Sequence, residues 1–565
     1  MAKIKAKTLF FTTSPRTPNK MIPEIALLNN LFAGQQWNAS TQEAFMMALV
    51  DSPYYESHGT PNDPALSARD RITRAPKALG FVDLKPSIHL TDAGSRLVSG
   101  KRTEEVILRQ LLKFQLPSPY HTAPSNGAVF WVRPYLEMLR LVNTLGTVTF
   151  DEVMAFGMQL TSYLKFDDIV GQILAFRKTK KEFPGQYKKY FRAVVDGNIR
   201  IIYGDEIRSG RTETRESEDI SEEKFIDTKR SNLRDYTDAC FRYLRSTGLV
   251  AISYKGRSLS IMPDKQKEVD YILEHVERHP VFVNDSDAYK SYLCDGTLPR
   301  LLTDDRDHLI EYIMRSGPYT RSQLSGMGLD ELKDLREDII ERNRSSIVSA
   351  QVKALKSYAQ YSEVMDTYNE IIADKRGQSL YDVPLMLEWN TWRAMTMIDG
   401  GKITGNFKID DAGQPMSTAQ GNMPDIVCDY GDFDVTVEVT MQSGQRQYDT
   451  ECEPVARHLG KHKRDSGKES YCLFIAPNIN PASVAHFYTL SKVNVAHYGG
   501  KATIVPLELE TFMKMVDNSY NARFVPTPQH MRDIFTFAKQ AADTAADETQ
   551  WYNEIQHFAQ NWVAI

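Results

Sequence analysis

The stretch PDIVCDYGDFDVTVEVT, residues 424–440, contains two acidic residues in a pattern typical of a β-hairpin. Asp425 opens the first strand, IVCDY, and Gly431-Asp432 turns the chain into the second strand, FDVTVEVT. Apolar and polar residues alternate along the second strand, so one face is predicted apolar while the other carries Asp434, Thr436, Glu438 and Thr440. Because the apolar face is held by packing, the hairpin is predicted to fix the carboxylates rigidly.

The residues around this hairpin predict further strands and helices. TECEPVARHLGKHKR, residues 450–464, predicts a helix in which Glu451 and His458 share one face, because seven residues make about two turns. YCLFIAP, residues 471–477, is a continuous apolar run and predicts a buried central strand. Upstream, Glu388 lies on the predicted helix LMLEWNTWRAM, residues 385–395. The C-terminal part is therefore predicted to be an α/β domain with a mixed central sheet.

Pro424-Asp425 followed by Glu438-Val439-Thr440 has the skeleton of a PD-(D/E)xK nuclease motif, with Thr440 where the motif usually has lysine. Hydrolysis of a phosphodiester requires a hard divalent cation that activates water and neutralises charge on the phosphate, and Mg²⁺ prefers a few carboxylate oxygens. The same pattern also arises by chance, with Asp425 as a turn cap and Glu438 as a solvated strand residue. On these residues alone both interpretations stay open.

Length and composition restrict the class of protein. The chain has 565 residues, 42% hydrophobic and 25% charged, with 31 Gly and 26 Pro, and its mean hydropathy is −0.42. These values indicate about three globular domains and exclude collagen-like, low-complexity and mostly disordered classes. No apolar run reaches the roughly 18–20 residues of a membrane span, and no signal-peptide core begins the chain. Five widely spaced cysteines without a CxxC pair argue against a disulfide framework or structural zinc, so we expect a cytoplasmic protein.

The charge is unevenly distributed along the chain. Residues 1–200 carry 26 Lys and Arg against 17 Asp and Glu, residues 201–285 carry 14 against 17, and residues 286–565 carry 28 against 39. The net charge therefore shifts from +9 through −3 to −11. A basic first part predicts a polyanionic partner, and an acidic last part contains carboxylates suited to a metal ion.

Residues 20–100 have the pattern of a winged-helix subdomain, in which helices precede a two-stranded wing. TQEAFMMALV and SARDRITRAPKALGFVD predict helices, the second ending at Gly80, and FVDLKPSIHLT predicts two strands. Residues 225–265 repeat this order, with a helix up to Gly248 and a hairpin turning at Lys255-Gly256. Two such modules favour binding of double-stranded DNA, because a helix fits the major groove and arginine pairs with guanine. The alternative is a protein-interaction module whose arginines are merely solvated.

Two further segments bear on the organisation of the chain. FRKTKKEFPGQYKKYFR, residues 176–192, interleaves cations with aromatic residues, which suits contact with phosphates. Residues 286–305 are rich in Asp, Gly and Pro and predict an interdomain linker, and residues 306–375 predict a helical region.

An ordered set of phrases resembles the AlwI family of type IIS restriction endonucleases, which includes site-specific nicking endonucleases. The phrases are E-W-x-T-W at 388–392, G-N-x-P-D at 421–425, E-V-T at 438–440, E-x-E-P-V-x-R-H at 451–458 and Y-C-L-F-I-A-P at 471–477. At the N-terminus, Ser14-Pro15-Arg16 with Lys20, A-R-D-R at 68–71 and L-G-F-V at 79–82 also match. The resemblance covers most of the chain and is looser over 200–230 and 300–375.

The resemblance implies a DNA-recognition region of winged-helix-like subdomains at 1–285 and, after the linker, a cleavage domain of PD-(D/E)xK type at 306–565 with its nuclease core at 376–510. The implied DNA contacts are Arg16, Lys20, Arg69, Arg71, Arg74, Lys77 and Arg257. The implied catalytic residues are Glu388, Asp425, Glu438, Glu451 and His458, with Asp425, Glu438 and Glu451 as ligands of Mg²⁺.

Some of these assignments have alternatives. The family also has threonine at the lysine position, so Thr440 does not argue against activity, and His458 or Lys461 is a candidate for the role of the lysine. Glu453 competes with Glu451, which the face shared with His458 favours. Glu388 has the structural alternative of an ion pair with Arg393, and His458 that of a packing residue bonded to Glu451.

We therefore expect a Mg²⁺-dependent type IIS restriction endonuclease, or a strand-specific nicking endonuclease, that binds a short asymmetric DNA sequence and cleaves at a fixed offset outside it. One active site cuts one strand, so double-strand cutting would need a second cleavage subunit or a transient homodimer. The resemblance also implies a cognate DNA methyltransferase in the cell. The rivals are a winged-helix DNA-binding regulator with an inactive nuclease-like domain and a structure-directed DNA repair nuclease.

Overall fold

The computed structural model of the chain describes residues 2–4, 6–52, 54–55, 60–122, 128–182, 184–214, 217–255, 257–374, 380–398, 401–419, 423–522 and 524–563. Its backbone contacts divide the chain into two units, Met1–Asp51 with Thr60–Ile339 and Ser52–Gly59 with Ile340–Ile565. Helices predominate in the first unit, and a five-stranded mixed sheet forms the centre of the second. The prediction of an α/β chain with a mixed sheet is confirmed.

The first unit is built mostly from helices joined by short loops. Its helices are α1 (Met21–Phe32), α2 (Ala39–Val50), α3 (Pro64–Arg74), α4 (Asp92–Val98), α5 (Thr103–Lys113), α6 (Pro134–Leu145), α7 (Phe150–Ala155), α8 (Phe166–Glu182), α9 (Tyr187–Ile202), α10 (Gly204–Arg208), α11 (Glu222–Arg245), α12 (Gln266–His275), α13 (Ser286–Cys294), α14 (Arg306–Ser316) and α15 (Arg321–Leu324). Its strands are β1 (Ala2–Lys3), β2 (Val82–Asp83), β3 (His89–Leu90), β4 (His121–Thr122), β5 (Thr147–Thr149), β6 (Val250–Ser253) and β7 (Ser258–Ile261). Helix α16 (Leu329–Lys356) contains the boundary between the units.

The first predicted wing is present, but the helix before it is shorter than predicted. Strands β2 and β3 pair antiparallel around the expected turn. Helix α3 ends at Arg74 rather than continuing to Gly80, because Pro76 has no N–H to donate to the carbonyl oxygen of Ile72, which accepts from the Lys77 amide at 2.9 Å instead. Lys77 therefore lies beyond the end of the helix that carries Arg71 and Arg74.

The second predicted wing belongs to a larger sheet than the sequence indicated. Helix α11 leads into the antiparallel pair β6–β7 as expected, and Gly256 of the predicted turn lies outside the described residues. Strand β5, which precedes the hairpin by about a hundred residues, adds to β7 and makes the order β5-β7-β6. The winged-helix assignment of both regions stays a prediction.

Residues 286–305 are part of the first unit and do not separate the two units. They contain α13, and the carbonyl oxygen of Leu293 accepts hydrogen bonds from Gln110 at 2.7 Å and Lys113 at 3.0 Å. Arg109 of α5 donates to the carbonyl oxygens of Thr297 and Pro299. Polar side chains of α5 thus bind a segment that is linker-like in composition, and the unit boundary lies later, at 339/340.

The second unit surrounds its sheet with helices. The helices are α17 (Tyr361–Ala373), α18 (Val383–Ile398), α19 (Gly444–Ser466), α20 (Pro481–Lys492), α21 (Leu509–Asn521), α22 (Pro528–Thr544) and α23 (Glu548–Gln560). The strands are β8 (Lys402–Gly405), β9 (Lys408–Ile409), β10 (Pro415–Ser417), β11 (Ile426–Asp429), β12 (Phe433–Val439), β13 (Glu469–Ala476) and β14 (Ile504–Glu508).

The central sheet has the order β14-β13-β12-β11-β8. Strands β8, β11 and β12 pair antiparallel, whereas β12, β13 and β14 pair parallel, with α19 and α20 as the connecting helices. β13 is buried from Ser470 onwards, as predicted for a central strand. Both faces of β12 are buried, including Thr436 and Glu438, because helices cover both faces of the sheet.

The cysteines and helices also bear on the sequence predictions. All five cysteines are free thiols. Among the described residues, every helix is too short or too polar to cross a lipid bilayer.

Candidate active site

The turn between β11 and β12 brings the two central carboxylates together. The antiparallel register pairs Ile426 with Val437, so one further step along the hairpin places Asp425 opposite Glu438. The backbone around Asp425 is also held from β8, because its carbonyl oxygen accepts a hydrogen bond from the Asn406 amide at 2.9 Å. The hairpin predicted from the alternating pattern therefore has the expected geometry.

Three consecutive residues at the end of β12 each contact one of the predicted site residues. The contacts are Glu438 Oε1 to His458 Nδ1 at 2.8 Å, Val439 N–H to Asp425 Oδ2 at 2.8 Å, and Thr440 Oγ1–H to Glu451 Oε1 at 3.0 Å. Because Glu438 and Thr440 are two residues apart on a strand, they lie on the same face, and α19 packs over that face with Glu451 and His458. Four of the five predicted catalytic residues therefore meet at this strand end.

Glu388 reaches the same region from α18. Its side chain is buried, and Oε2 accepts a hydrogen bond from the Ala419 amide at 3.1 Å. The alternative pairing with Arg393 is not observed, because Arg393 donates to Glu363 at 2.9 Å and to Gln360 at 3.2 Å. Residues 420–422, which include part of the G-N-x-P-D phrase, lie outside the described residues.

Burial and mutual repulsion disfavour negative charge on these carboxyl groups. Burial and the Glu438 carboxylate raise the pKa of Asp425 well above its usual range, against the opposing effect of the Val439 amide. Burial and Glu451 raise the pKa of Glu438. Burial and Asp425 raise the pKa of Glu388. A cluster of this kind gains stability when a cation neutralises it.

His458 is a neutral imidazole at neutral pH. Burial, followed by the charge of Arg457, lowers its pKa to about 4. We therefore interpret its contact with Glu438 as a hydrogen bond rather than an ion pair, because burial disfavours the charged form of both groups. The neutral ring favours a hydrogen-bonding role for His458 over transfer of a proton at neutral pH.

The donor set fits a hard divalent cation. Asp425 and Glu438 provide carboxylate oxygens, and burial together with a neighbouring acidic group raises the pKa of each. Within the described ranges no group of three or more His, Cys, Asp or Glu side chains is arranged to hold a metal ion. Mg²⁺ is commonly bound through one or two carboxylates, with water and substrate phosphate oxygens completing its shell. Asp425 and Glu438 provide that number of carboxylates.

The lysine position of the motif is occupied by a hydroxyl that organises the site. Thr440 Oγ1 donates to Glu451 and accepts a hydrogen bond from the Gln442 amide at 3.0 Å. Lys461 instead pairs with Asp465 at 3.4 Å, with 45% of its side chain exposed. The charge of Arg457 partly opposes the rise in the pKa of Glu438 caused by burial and Glu451. Arg457 and Lys461 are both electrostatically coupled to the site, because each also lowers the pKa of His458.

The predicted DNA contacts of the first unit differ in how exposed they are. Arg16 is 48% exposed and pairs with Asp235 at 3.1 Å. Arg74 is 46% exposed and pairs with Asp70 one turn earlier. Lys20 and Arg69 are exposed, and among the described residues no ion pair involves Arg69.

Three other predicted contacts are occupied by the protein itself. Arg71 forms an ion pair with the buried Glu24, a residue of α1 that lies far from it in sequence. Lys77 lies 5.7 Å from the centre of the Tyr120 ring, and burial lowers its pKa. Arg257 is 13% exposed and lies over the Phe150 ring at 4.1 Å.

The model of the AlwI restriction endonuclease family matches residues 77–515, well over half of the chain. This chain belongs to the AlwI family. Membership makes it a nuclease of the restriction class, and the matched range contains all five predicted catalytic residues.

Two solved structures resemble parts of this AlwI family member. One is the small subunit, R.BspD6I2, of the heterodimeric restriction endonuclease R.BspD6I, with 24% identity and a TM-score of 0.30, covering 36% of this chain and 99% of that one. The other is the BpuJ1 endonuclease binding domain in complex with modified DNA, with 13% identity and a TM-score of 0.29, covering 48% and 88%. No curated protein matches the chain significantly.

The AlwI family member has two supporting groups beside the site that the sequence argument missed. The buried Gln447 on α19 donates to the carbonyl oxygens of Gln442 and Asn478 and accepts from the Asn480 amide. The buried Asp434 on β12 bonds His462 at 2.9 Å and Lys468 at 3.1 Å. The hydrogen bonds of both residues hold α19 or its flanking loops against the sheet. In the sequence, the only signal for them is a polar residue at a position predicted to be buried.

Proposed function

We propose that this protein is a type IIS restriction endonuclease, or a strand-specific nicking endonuclease, that hydrolyses DNA with Mg²⁺ at a fixed offset from a short asymmetric site. The observation that carries the proposal is the strand end at 438–440, where consecutive residues contact His458, Asp425 and Glu451. A family of DNA-cleaving enzymes and a buried cluster of mutually repelling carboxyl groups together favour phosphodiester hydrolysis. We assign the domain at 376–510 to the PD-(D/E)xK type.

The residues of the site have distinct proposed roles. Asp425 and Glu438 would hold Mg²⁺, with Glu451 completing the acidic set and Glu388 flanking it. When bound, the ion supplies charge stabilisation for the phosphate and a more acidic water for the attack. Thr440 positions Glu451 through its hydroxyl, and the neutral His458 positions Glu438. Because the pKa of His458 is low, we assign it orientation rather than proton transfer at neutral pH.

DNA recognition is assigned to residues 1–285. Arg16, Lys20, Arg69 and Arg74 are exposed and suited to contact DNA. Arg71, Lys77 and Arg257 have intramolecular partners, so a role in DNA binding would require them to exchange those partners for phosphates or bases. Base-by-base substitution of the recognised site would distinguish the cations that contact bases from those that contact phosphates.

The partner proposals follow from the chemistry of cutting. One active site hydrolyses one strand, so cutting of both strands would use a second cleavage subunit or a transient homodimer. A cognate DNA methyltransferase would protect the same sequence in the cell.

Mapping of cleavage ends tests the proposal directly. Plasmid DNA is incubated with the full chain and Mg²⁺, and both strands are then sequenced by run-off from flanking primers. Ends at one fixed offset from one sequence, on one strand or both, are expected. Scattered ends would instead favour a structure-directed nuclease, and intact DNA with retained sequence-specific binding would favour an inactive regulator.

Two aspartate variants test the assignment of the site. Asp425→Asn keeps the size of the side chain but removes its charge, so we expect loss of cleavage with retained DNA binding. Asp465→Asn is the matched control, because Asp465 is 64% exposed and pairs only with the surface residue Lys461 among the contacts described. Cleavage by Asp425→Asn at the rate of Asp465→Asn would contradict the assignment.

A further inference from the structure

Helices α8 and α9 form a hairpin whose tip carries a dense group of lysines. The five lysines between residues 178 and 189 are all exposed: Lys178, Lys180, Lys181, Lys188 and Lys189. Glu182 is the one acidic residue in that stretch of sequence, so its net charge is +4. Phe183 lies outside the described residues.

The aromatic residues of this segment form the inner core of the hairpin. Phe176 stacks on Tyr190 with ring centres 5.6 Å apart, and it contacts Tyr187 and Phe191 at 5.9 and 6.4 Å. The hydroxyl of Tyr187 donates to Asp151 of α7 at 2.7 Å. Phe176 is buried, and the half-buried rings of Tyr187, Tyr190 and Phe191 pack against it. They make the tip a rigid support for the lysines outside it.

Carboxylates close to the hairpin are already paired with arginines. Glu152 binds Arg177, and Asp196 and Asp227 both bind Arg230. Among the described residues no side-chain hydrogen bond or ion pair involves Lys178, Lys181 or Lys189, whereas Lys180 lies over the Tyr187 ring at 4.2 Å. The charges of Lys178, Lys181 and Lys189 are therefore not paired with a carboxylate among the described residues.

We infer that the tip of the α8–α9 hairpin is a second DNA-binding surface, which contacts phosphates without reading sequence. This inference rests on the proposed function for its partner, duplex DNA. Lysine is a compact point charge, whereas the planar guanidinium of arginine makes the bidentate contacts that distinguish bases. A tip whose exposed cations without an ion pair are lysines, and whose aromatic rings pack on one another, has the chemistry of contact with phosphates rather than with bases.

The test compares two triple variants with the same change of net charge. The tip variant is Lys178→Gln, Lys181→Gln and Lys189→Gln. The control is Lys267→Gln, Lys492→Gln and Lys514→Gln, which lie on α12, α20 and α21. Binding of the full chain to a duplex of random sequence is measured between about 50 and 200 mM salt, with EDTA present so that no strand is cut. Circular dichroism confirms that both variants fold.

Each phosphate neutralised contributes about 0.9 to the slope of log K against log salt concentration. We expect the slope of the tip variant to be shallower by about 2–3 than that of the control. A tip variant with the slope and affinity of the control would overturn the inference, as would loss of binding to phosphatidylserine vesicles without any change in DNA binding. Because the readout is binding, it is independent of cleavage: a chain that cuts no DNA but shows the slope change would refute the proposed function and leave the inference standing.

Discussion

Replacing Thr440 by valine tests whether the hydroxyl at the lysine position of the motif organises the site. Valine has the shape of threonine and equal β-propensity, so the strand is expected to keep its packing. The variant removes two hydrogen bonds, the donation to Glu451 Oε1 at 3.0 Å and the acceptance from the Gln442 amide. Glu451 then loses one of the contacts that hold it beside Asp425 and Glu438.

The expected magnitude follows from the kind of bond that is lost. A hydrogen bond to a charged group contributes about 1.5–3 kcal/mol. If that free energy positions Glu451 in the transition state, the cleavage rate falls about ten- to a hundredfold, since about 1.4 kcal/mol corresponds to a factor of ten. Stability is expected to fall only by the same order, because the valine methyl group fills the volume of the hydroxyl.

Thr436→Val is the matched control on the same strand face. Thr436 is fully buried, and its hydroxyl donates to the Tyr471 carbonyl oxygen at 3.3 Å rather than to a site carboxylate. Single-turnover cleavage of plasmid DNA is measured for both variants over a range of Mg²⁺ concentrations, together with the rise in Tm on adding Mg²⁺. Equal rates and equal Mg²⁺-induced Tm shifts in the two variants would refute the role given to Thr440.

Three further predictions concern stability and DNA binding. His121→Phe keeps the ring contacts with Phe10 and Phe114. Burial lowers the pKa of His121 to about 4, so the wild type loses about 3 kcal/mol of its unfolding free energy as the pH falls from 6.5 towards 4. The variant has no titrating group at this position and should not lose it, which denaturant midpoints at both pH values will show. Arg71→Ala removes an ion-pair partner of the buried Glu24 and should lower the unfolding free energy by about 3 kcal/mol. Arg69→Ala should instead weaken DNA binding and leave Tm unchanged. A lower Tm for Arg69→Ala, with weaker DNA binding but unchanged stability for Arg71→Ala, would reverse the two assignments. Gln447→Met leaves the Asn480 amide without its side-chain acceptor and should lower the unfolding free energy by at least about 2 kcal/mol. The rate of DNA cleavage should fall as well, which is not expected when the same stability is lost elsewhere in the sheet.

The sheet and the central carboxylates were predictable because they depend on local pattern. Alternation in residues 433–440 sets which side chains share a face, and a short hairpin leaves few ways to pair Asp425 with Glu438. The shared helical face of Glu451 and His458 follows from 3.6 residues per turn. In the structure Glu451 bonds Thr440 and His458 bonds Glu438, so both side chains contact β12 from the same face of α19.

What could not be predicted depends on partners distant in sequence. The sequence around Arg71 predicts an exposed cation, because its ion-pair partner Glu24 lies 47 residues earlier in the chain. Residues 286–305 read as a linker until Arg109 and Lys113 of α5 are seen to bind their carbonyl oxygens. The low pKa of His458 is a consequence of its burial between α19 and β12, which periodicity alone does not show.

The order of contacts between α19 and β12 explains why the spacing within the helix matters for catalysis. Moving along α19, Glu451, His458 and His462 contact Thr440, Glu438 and Asp434 in turn, so the helix runs antiparallel to the strand. Seven helical residues cover about 10 Å, whereas two strand residues cover about 7 Å, and side-chain length makes up the difference. Inserting one residue between Glu451 and His458 would rotate the two by about 100° relative to each other, and both could not then face β12. The strand positions the carboxylates and the helix positions their partners, so the geometry of the proposed metal site depends on the register between the two elements.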